Sequence, residues 1–162
     1  MKDKQSQPVA IQEARQTDAG EILAVQKSAF TEEMKAYGFY DIPPLTETVD
    51  DVREAMRAGV MLKAVLEGRI VGAVRASSQD GSCLVGRLAV TPDLWNKGIG
   101  RSLMEEIESR CPDACRLELF VGSKSDKNIR LYEKLGYRTF KSEPVGEDVE
   151  LLYMEKRLGC DP

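Results

Sequence analysis

The stretch "LAVTPDLWNKGIGRSLMEEIESR", Leu88 to Arg110, constrains the fold more than any other part of the chain. It opens as an apolar strand. Pro92 ends that strand, because proline cannot donate to a sheet ladder. Gly98 and Gly100 then stand where a helix begins, since Ile99, Leu103 and Ile107 recur at helical spacing before Pro112 stops the pattern. Strand, glycine turn and helix in direct succession point to a mixed α/β fold. Glycines at that junction clear side chains from the path of a group approaching the helix N-terminus. The unpaired N–H groups there carry partial positive charge. Lys97 and Arg101 add full charge beside them, so an anion is expected.

The rest of the chain extends the pattern. "VAIQEAR" reads as a short strand. "TDAGEILAVQKSAF" reads as a helix, with Asp18 and Glu21 at capping-box spacing and Ile22, Val25 and Ala29 on one face. "TEEMKAYGFYDIPPL" reads as an irregular connection, either surface or the wall of a substrate pocket. "TETVDDVREAMRAG" is a second helix, with Thr48 and Asp51 near its start and Gly59 at its stop. A hairpin turns near Glu67-Gly68, and Asp80-Gly81 turns into "CLVGRLAVT". "CRLELFV" is a strand. "SKSDKNIRLYEKLG" is a helix, with Ser125 as N-cap and Gly136 just past its end. Two strands, "YRTFKSE" and "VELLYMEKRL", close an order of β-α-α-β-β-β-α-β-α-β-β. The 162 residues hold no repeat or linker, so one domain over residues 1–162 is expected.

A formal net charge of −4 excludes a bulk basic field for nucleic acid, so any anion site is local. No apolar run approaches the roughly 20 residues that span a bilayer. "MKDKQSQPVAIQ" has no apolar h-region. A cytoplasmic protein without a membrane partner is expected. Cys83, Cys111, Cys115 and Cys160 have no metal-ligand spacing and no histidine to join them, so no metal is expected. Free thiols are the expected state, with a Cys111–Cys115 disulfide as the alternative. The absence of histidine also excludes Ser-His-Asp and Cys-His nucleophiles and a histidine base. Proton transfer falls to Glu, Asp, Tyr, Cys, Lys or water.

A P-loop needs Lys-Ser/Thr after its last glycine, and Arg101-Ser102 stands there instead. A dinucleotide fingerprint needs a small residue where Leu103 stands. A plain helix N-terminus built for an anion remains. Taken together, "LAVTPDLWNKGIGRSL" followed by "NIRLYEKLGY" resembles the GNAT superfamily of acetyl-CoA-dependent N-acetyltransferases, with motif residues covering about residues 84 to 140. The resemblance implies a single α/β domain. Its central sheet would be mixed, mostly antiparallel, of about seven strands flanked by about four helices. It also implies acetyl-CoA as cosubstrate, an amine acceptor that is a small molecule or a peptide, and a monomer or homodimer. The backbone of Asn96, Lys97, Gly98, Ile99, Gly100, Arg101 and Ser102 would cradle the pyrophosphate. The family loop reads Gln/Arg-x-x-Gly-x-Gly/Ala, and Trp95 departs from its first position. The strand Leu88, Ala89 and Val90 would splay from the next strand near Leu119. Backbone groups of Leu88 and Val90 would then bond the pantetheine arm as an added strand. Asn128 matches a pantetheine contact, and Tyr132 matches the acid that protonates the leaving thiolate. Lys124, Lys127 and Arg130 either serve the 3′-phosphate end or are solvated.

Acyl transfer to an amine through a tetrahedral intermediate needs a base, because an alkyl ammonium has a pKa near roughly 10.4. Glu118, in "RLELF", is the first candidate, and Glu32, Glu33, Asp41 and water are alternatives. The Leu88 N–H would polarise the carbonyl. Arg75 and Arg87 either meet an acidic acceptor or are ion-paired on the sheet. Two classes of function fit these residues: an active N-acetyltransferase, and an idle acyl-CoA-binding module on the same fold.

Overall fold

A computed structural model describes residues 8–160. Seven strands form one sheet in the order β1-β2-β3-β4-β5-β7-β6. They are β1 (Ala10–Glu13), β2 (Val60–Leu66), β3 (Arg69–Gln79), β4 (Ser82–Val90), β5 (Arg116–Gly122), β6 (Arg138–Gly146) and β7 (Val149–Arg157). All neighbours are antiparallel except β4 and β5. The helices are α1 (Ala19–Met34), α2 (Pro43–Thr46), α3 (Val49–Ala58), α4 (Ile99–Ser109) and α5 (Asp126–Lys134). The expected order holds, with α2 added as one turn inside the segment read as irregular. No helix among the described residues is long and apolar enough to cross a membrane.

The apolar stripe of α4 places Leu103, Met104 and Ile107 against Leu62, Val71, Leu117 and Met154, all at most 1% exposed. Burying each side chain of this kind contributes about 1.5–3 kcal/mol. A second cluster joins Ile22, Val25 and Ala29 of α1 and Val52 of α3 to Met61, Ile70 and Ala89 of the sheet. The sheet is thus covered by α1 and α3 on one side and by α4 on the other.

Three local expectations are corrected. Asp18 and Glu21 do not form a capping box. Asp18 accepts from the Arg15 N–H at 2.8 Å and from Lys63 Nζ at 2.7 Å, while Glu21 reaches the Ile70 N–H at 3.1 Å. Thr48 and Asp51 do cap α3 reciprocally, at 3.2 and 2.9 Å. Ser125 stands at the N-cap of α5, but its hydroxyl is used elsewhere, as described below. The cysteines are paired rather than free: Cys83 with Cys111, and Cys115 with Cys160. Their partners are set by packing, not by sequence spacing. The chain leaving α4 brings Cys111 to Cys83 on β4. Antiparallel pairing of β5 with β7, closed by the Leu158 N–H to Cys115 carbonyl bond at 2.9 Å, brings Cys160 to Cys115.

The break in the sheet matters most for function. β4 and β5 pair only from Ser82 with Arg116 to Leu84 with Glu118, although both strands run on. On its other edge, β4 sets Gly86 opposite Arg75 and Ala89 opposite Ala73. Arg87 and Leu88 therefore stand together against the single residue Val74, a bulge with one extra residue, and Arg87 is left-handed with φ 54°. The bulge turns β4 away from β5 and opens a V between two parallel strands.

Candidate functional site

Two neighbouring cavities open at this V. The larger, about 760 Å³, lies between the loop before α4 and the first turns of α5. The smaller, about 420 Å³, lies beyond the V, against α1 and the start of β7.

Nine of the residues expected to hold the cofactor line the larger cavity: Leu88, Ala89, Val90, Asn96, Gly98, Ile99, Gly100, Arg101 and Asn128. Lys97 and Ser102 do not; both are exposed, and the Ser102 N–H bonds back to the Gly98 carbonyl at 3.1 Å. The two glycines serve different ends. Gly98 is left-handed, φ 86°, and lets the loop turn into α4. Gly100 is helical, and a Cβ there would meet only ordinary contacts, the nearest being Leu131 at 3.7 Å. No special backbone angle and no crowding within the fold thus requires a glycine there. Arg101, Lys124, Lys127, Arg130 and Lys134 also line this cavity, five cations against the carboxylates Glu32, Glu33 and Asp126, in a chain of net charge −4.

Trp95 is tied at both ends. Its indole Nε1–H donates to the Val90 carbonyl at 2.7 Å, and Lys127 Nζ sits 4.0 Å from its ring centroid. The Val90 carbonyl, one of the groups expected to face the pantetheine arm, therefore already accepts a bond. Burial pulls the Lys127 ammonium below its usual pKa, and the Glu33 carboxylate partly restores it.

Glu118 lines neither cavity. It points away from Leu117 and Leu119, as strand alternation dictates, but there it accepts from Arg116 Nη1 at 2.6 Å. Arg116 also bonds Glu155 at 2.6 Å. Arg75 and Arg87 are both ion-paired to Glu47, at 2.6 and 2.8 Å. Burial works to raise the Glu47 carboxyl, but hydrogen bonds from Gln26, Arg87 and Arg75 outweigh it and hold Glu47 below the usual carboxylate value.

A different carboxylate stands at the V. Glu33 lies in the last turn of α1 and lines both cavities; the residues that share this property with it are Leu88 and Asn128. Its Oε2 accepts from Ser125 Oγ at 2.5 Å, and its Oε1 from Asn128 Nδ2 at 3.5 Å. Ser125 Oγ lies 2.6 Å from the Tyr37 hydroxyl, which accepts from the Lys124 N–H at 3.1 Å. A serine has one proton to give, so with Glu33 ionised the chain runs one way: Lys124 N–H to Tyr37, Tyr37 to Ser125, Ser125 to Glu33. A Cβ at Gly122 would collide with the Tyr37 hydroxyl, so Gly122 is what admits this chain. Burial raises the Glu33 carboxyl, and the Ser125 bond and the Lys127 charge only partly oppose it. A buried carboxylate of raised pKa, in a cleft, with two positioning partners, is equipped to take a proton.

The sequence carried a signal for Glu33. Ile22, Gln26, Ala29 and Glu33 continue one helical stripe, and its first three members are buried. A carboxylate on the core face of a helix calls for a reason.

Tyr132 lines the smaller cavity and is 6% exposed. Burial, with the Glu33 charge adding, pushes its phenol well above the usual value. Its hydroxyl therefore stays protonated throughout the neutral range.

Comparison with known proteins adds the following. The acetyltransferase (GNAT) family model matches residues 24–137. The UPF0157 protein YqkA of Bacillus subtilis is 30% identical over 135 residues, covering 83% of this chain and 38% of YqkA. A probable N-acetyltransferase 14 of Danio rerio is 34% identical over 106 residues, covering 62% of this chain and 38% of the relative. The chain thus spans about two fifths of the length of these two relatives. Among solved structures, PaiA N-acetyltransferase from Thermoplasma acidophilum, in complex with coenzyme A, superposes with TM-score 0.79 at 16% identity, covering 93% of this chain and 99% of that one. The ribosomal-protein-S18-alanine N-acetyltransferase from Escherichia coli gives 0.74 at 16% identity, covering 96% and 97%. At such identities these structures bear on the fold alone.

Proposed function

The chain belongs to the acetyltransferase (GNAT) family, and from that premise we propose that it moves an acetyl group from acetyl-CoA to a primary amine. The observation that carries the reading is that Glu33, Leu88 and Asn128 line both cavities. A thioester entering from one side and an amine entering from the other meet where a base, a free strand edge and an amide already stand.

The larger cavity suits acetyl-CoA. Its open Gly100, the N-terminus of α4 and its five cationic side chains fit a diphosphate. Lys127, held over Trp95, offers there the positive contact that a tryptophan at that loop position cannot give itself. Leu88 has no partner in the register with β3, and β5 has already diverged, so its backbone is open to an added extended chain. The ammonium first sheds one proton to solvent; the neutral nitrogen then bonds the carbonyl carbon as Glu33 takes its second proton. The Leu88 N–H faces the developing oxyanion. The carbon–sulfur bond breaks as the thiolate takes the Tyr132 proton, and the proton held by Glu33 passes back through water to the phenolate, restoring both groups. Glu33, not Glu118, is given the role of base, because Glu118 is committed to Arg116 outside both cavities.

Gly100→Val tests the cofactor half. The fold has room for a Cβ at that position, so the variant folds while its side chain fills the approach to the helix start. Losing one charge-assisted bond costs about 1.5–3 kcal/mol, so calorimetry reads CoA binding roughly ten- to hundredfold weaker. Unchanged affinity in the folded variant removes the site. Thiol release from acetyl-CoA with a mixed amine panel tests the transfer itself.

A further inference from the structure

The acceptor side has a chemical character of its own. The smaller cavity is walled mainly by apolar side chains, among them Phe30, Met34, Phe39, Ile42, Phe120 and Leu151. Its charged lining residues are Glu33, Arg87 and Glu150. Glu33 stands at the V, where the amine must arrive. Glu150 is exposed at the start of β7, toward solvent. Arg87 is a cation, and its carboxylate partner Glu47 is shared with Arg75. Gln26 fixes this wall further, donating to the Pro44 carbonyl and to Glu47, both at 2.9 Å.

A second ammonium held within the wall would therefore meet apolar carbon or a guanidinium, since the remaining carboxylate, Glu150, lies out in solvent. Leaving a charge unpaired in such surroundings is costly. A ring or branched alkyl group, by contrast, would cover Phe30, Phe39 and Phe120 and release water. Resting on the acetyltransferase reading above, we propose that the acceptor is a small monoamine whose body is one aromatic or branched aliphatic group. Polyamines and aminoglycosides fit this wall poorly. The two sides of the cavity close on a compact ligand, α1 and the 37–44 segment from one side and the Val145–Leu151 turn from the other.

The probes are 2-phenylethylamine, isopentylamine, spermidine and a peptide amide with N-terminal phenylalanine. Each is assayed by thiol release at saturating acetyl-CoA. The expected result is a kcat/KM for 2-phenylethylamine at least about tenfold above spermidine, with the peptide below the free amine. Phe120→Glu and Val145→Glu place a carboxylate on the wall at positions 55% and 51% exposed, where the fold tolerates it. Each variant shifts the preference toward spermidine by about tenfold. Spermidine equal to or above 2-phenylethylamine in the unaltered protein overturns the monoamine class and leaves the transferase reading standing. A peptide that outruns the free amine overturns the small-molecule acceptor in the same way. Calorimetric acetyl-CoA binding without thiol release to any amine overturns both.

Discussion

Glu33→Gln lowers kcat by about 10²–10⁴-fold, the usual range for loss of a general base. Glutamine keeps an acceptor for Ser125 and stays within reach of Asn128, so the site keeps its shape. The pH profile carries the test. The ionised carboxylate is the working form, and burial holds its pKa above the ordinary 4.5. Activity of the unaltered protein therefore falls as pH drops through that raised value, and in Glu33→Gln this acid limb is gone. Stability separates the effect from unfolding. A carboxyl whose folded pKa lies above its unfolded one loses stability as pH rises through the interval between them. The amide does not ionise, so thermal melting at neutral pH is not lowered. Glu118→Gln, outside both cavities, keeps the limb and most of the rate. A Glu33→Gln profile that overlays the unaltered protein removes Glu33 as base.

Tyr132→Phe is expected to lower kcat by about 10²–10⁴-fold with CoA affinity unchanged. Only the hydroxyl is removed. The ring keeps its edge-on contact with Tyr137, centroids 6.0 Å apart, so packing persists. Burial raises this phenol far enough to stay protonated across the assay range, so the loss is the same at every pH and the acid limb set by Glu33 is retained. The leaving group supplies the second arm. A thioester of a more acidic thiol needs less help in departing, so the variant recovers most of its deficit with such a donor. Near-unaltered kcat with acetyl-CoA, when chemistry is rate-limiting, makes Tyr132 a core aromatic only.

The strand, loop and helix at Leu88–Ser109 were legible because their signals are local: proline ends, glycines open, and an apolar period of helical length follows. The site's chemistry was legible only in part, because it is made by meetings between distant segments. Alternation along β5 puts Arg116 and Glu118 on one face, so a pairing with Arg116 was open to Glu118 from the sequence; that Glu155 of β7 joins them there is a meeting of distant segments. Ser125 was read as a cap, the commonest local use of serine at a helix start, yet Glu33, 92 positions away in sequence, takes its proton. The segment after Phe30 read as irregular because of its aromatics and the Pro43-Pro44 pair. In the fold α1 runs on to Met34, so Glu33, the base proposed above, stands on a helix. The cysteines illustrate the same limit: pairing follows which strand lies beside which, and sequence separations of 28 and 45 carry no trace of it.

Trp95 is the chain's single tryptophan. It stands on the wall of the larger cavity, its N–H fixed to Val90 and one face covered by the Lys127 ammonium. All indole emission from this chain therefore originates at one lip of the larger cavity. A polyanion drawn to Lys127 changes the electric field across that ring, and no second indole dilutes the signal. If the larger cavity takes acetyl-CoA as proposed, a simple fluorescence titration, without label or coupled assay, follows its filling separately from turnover.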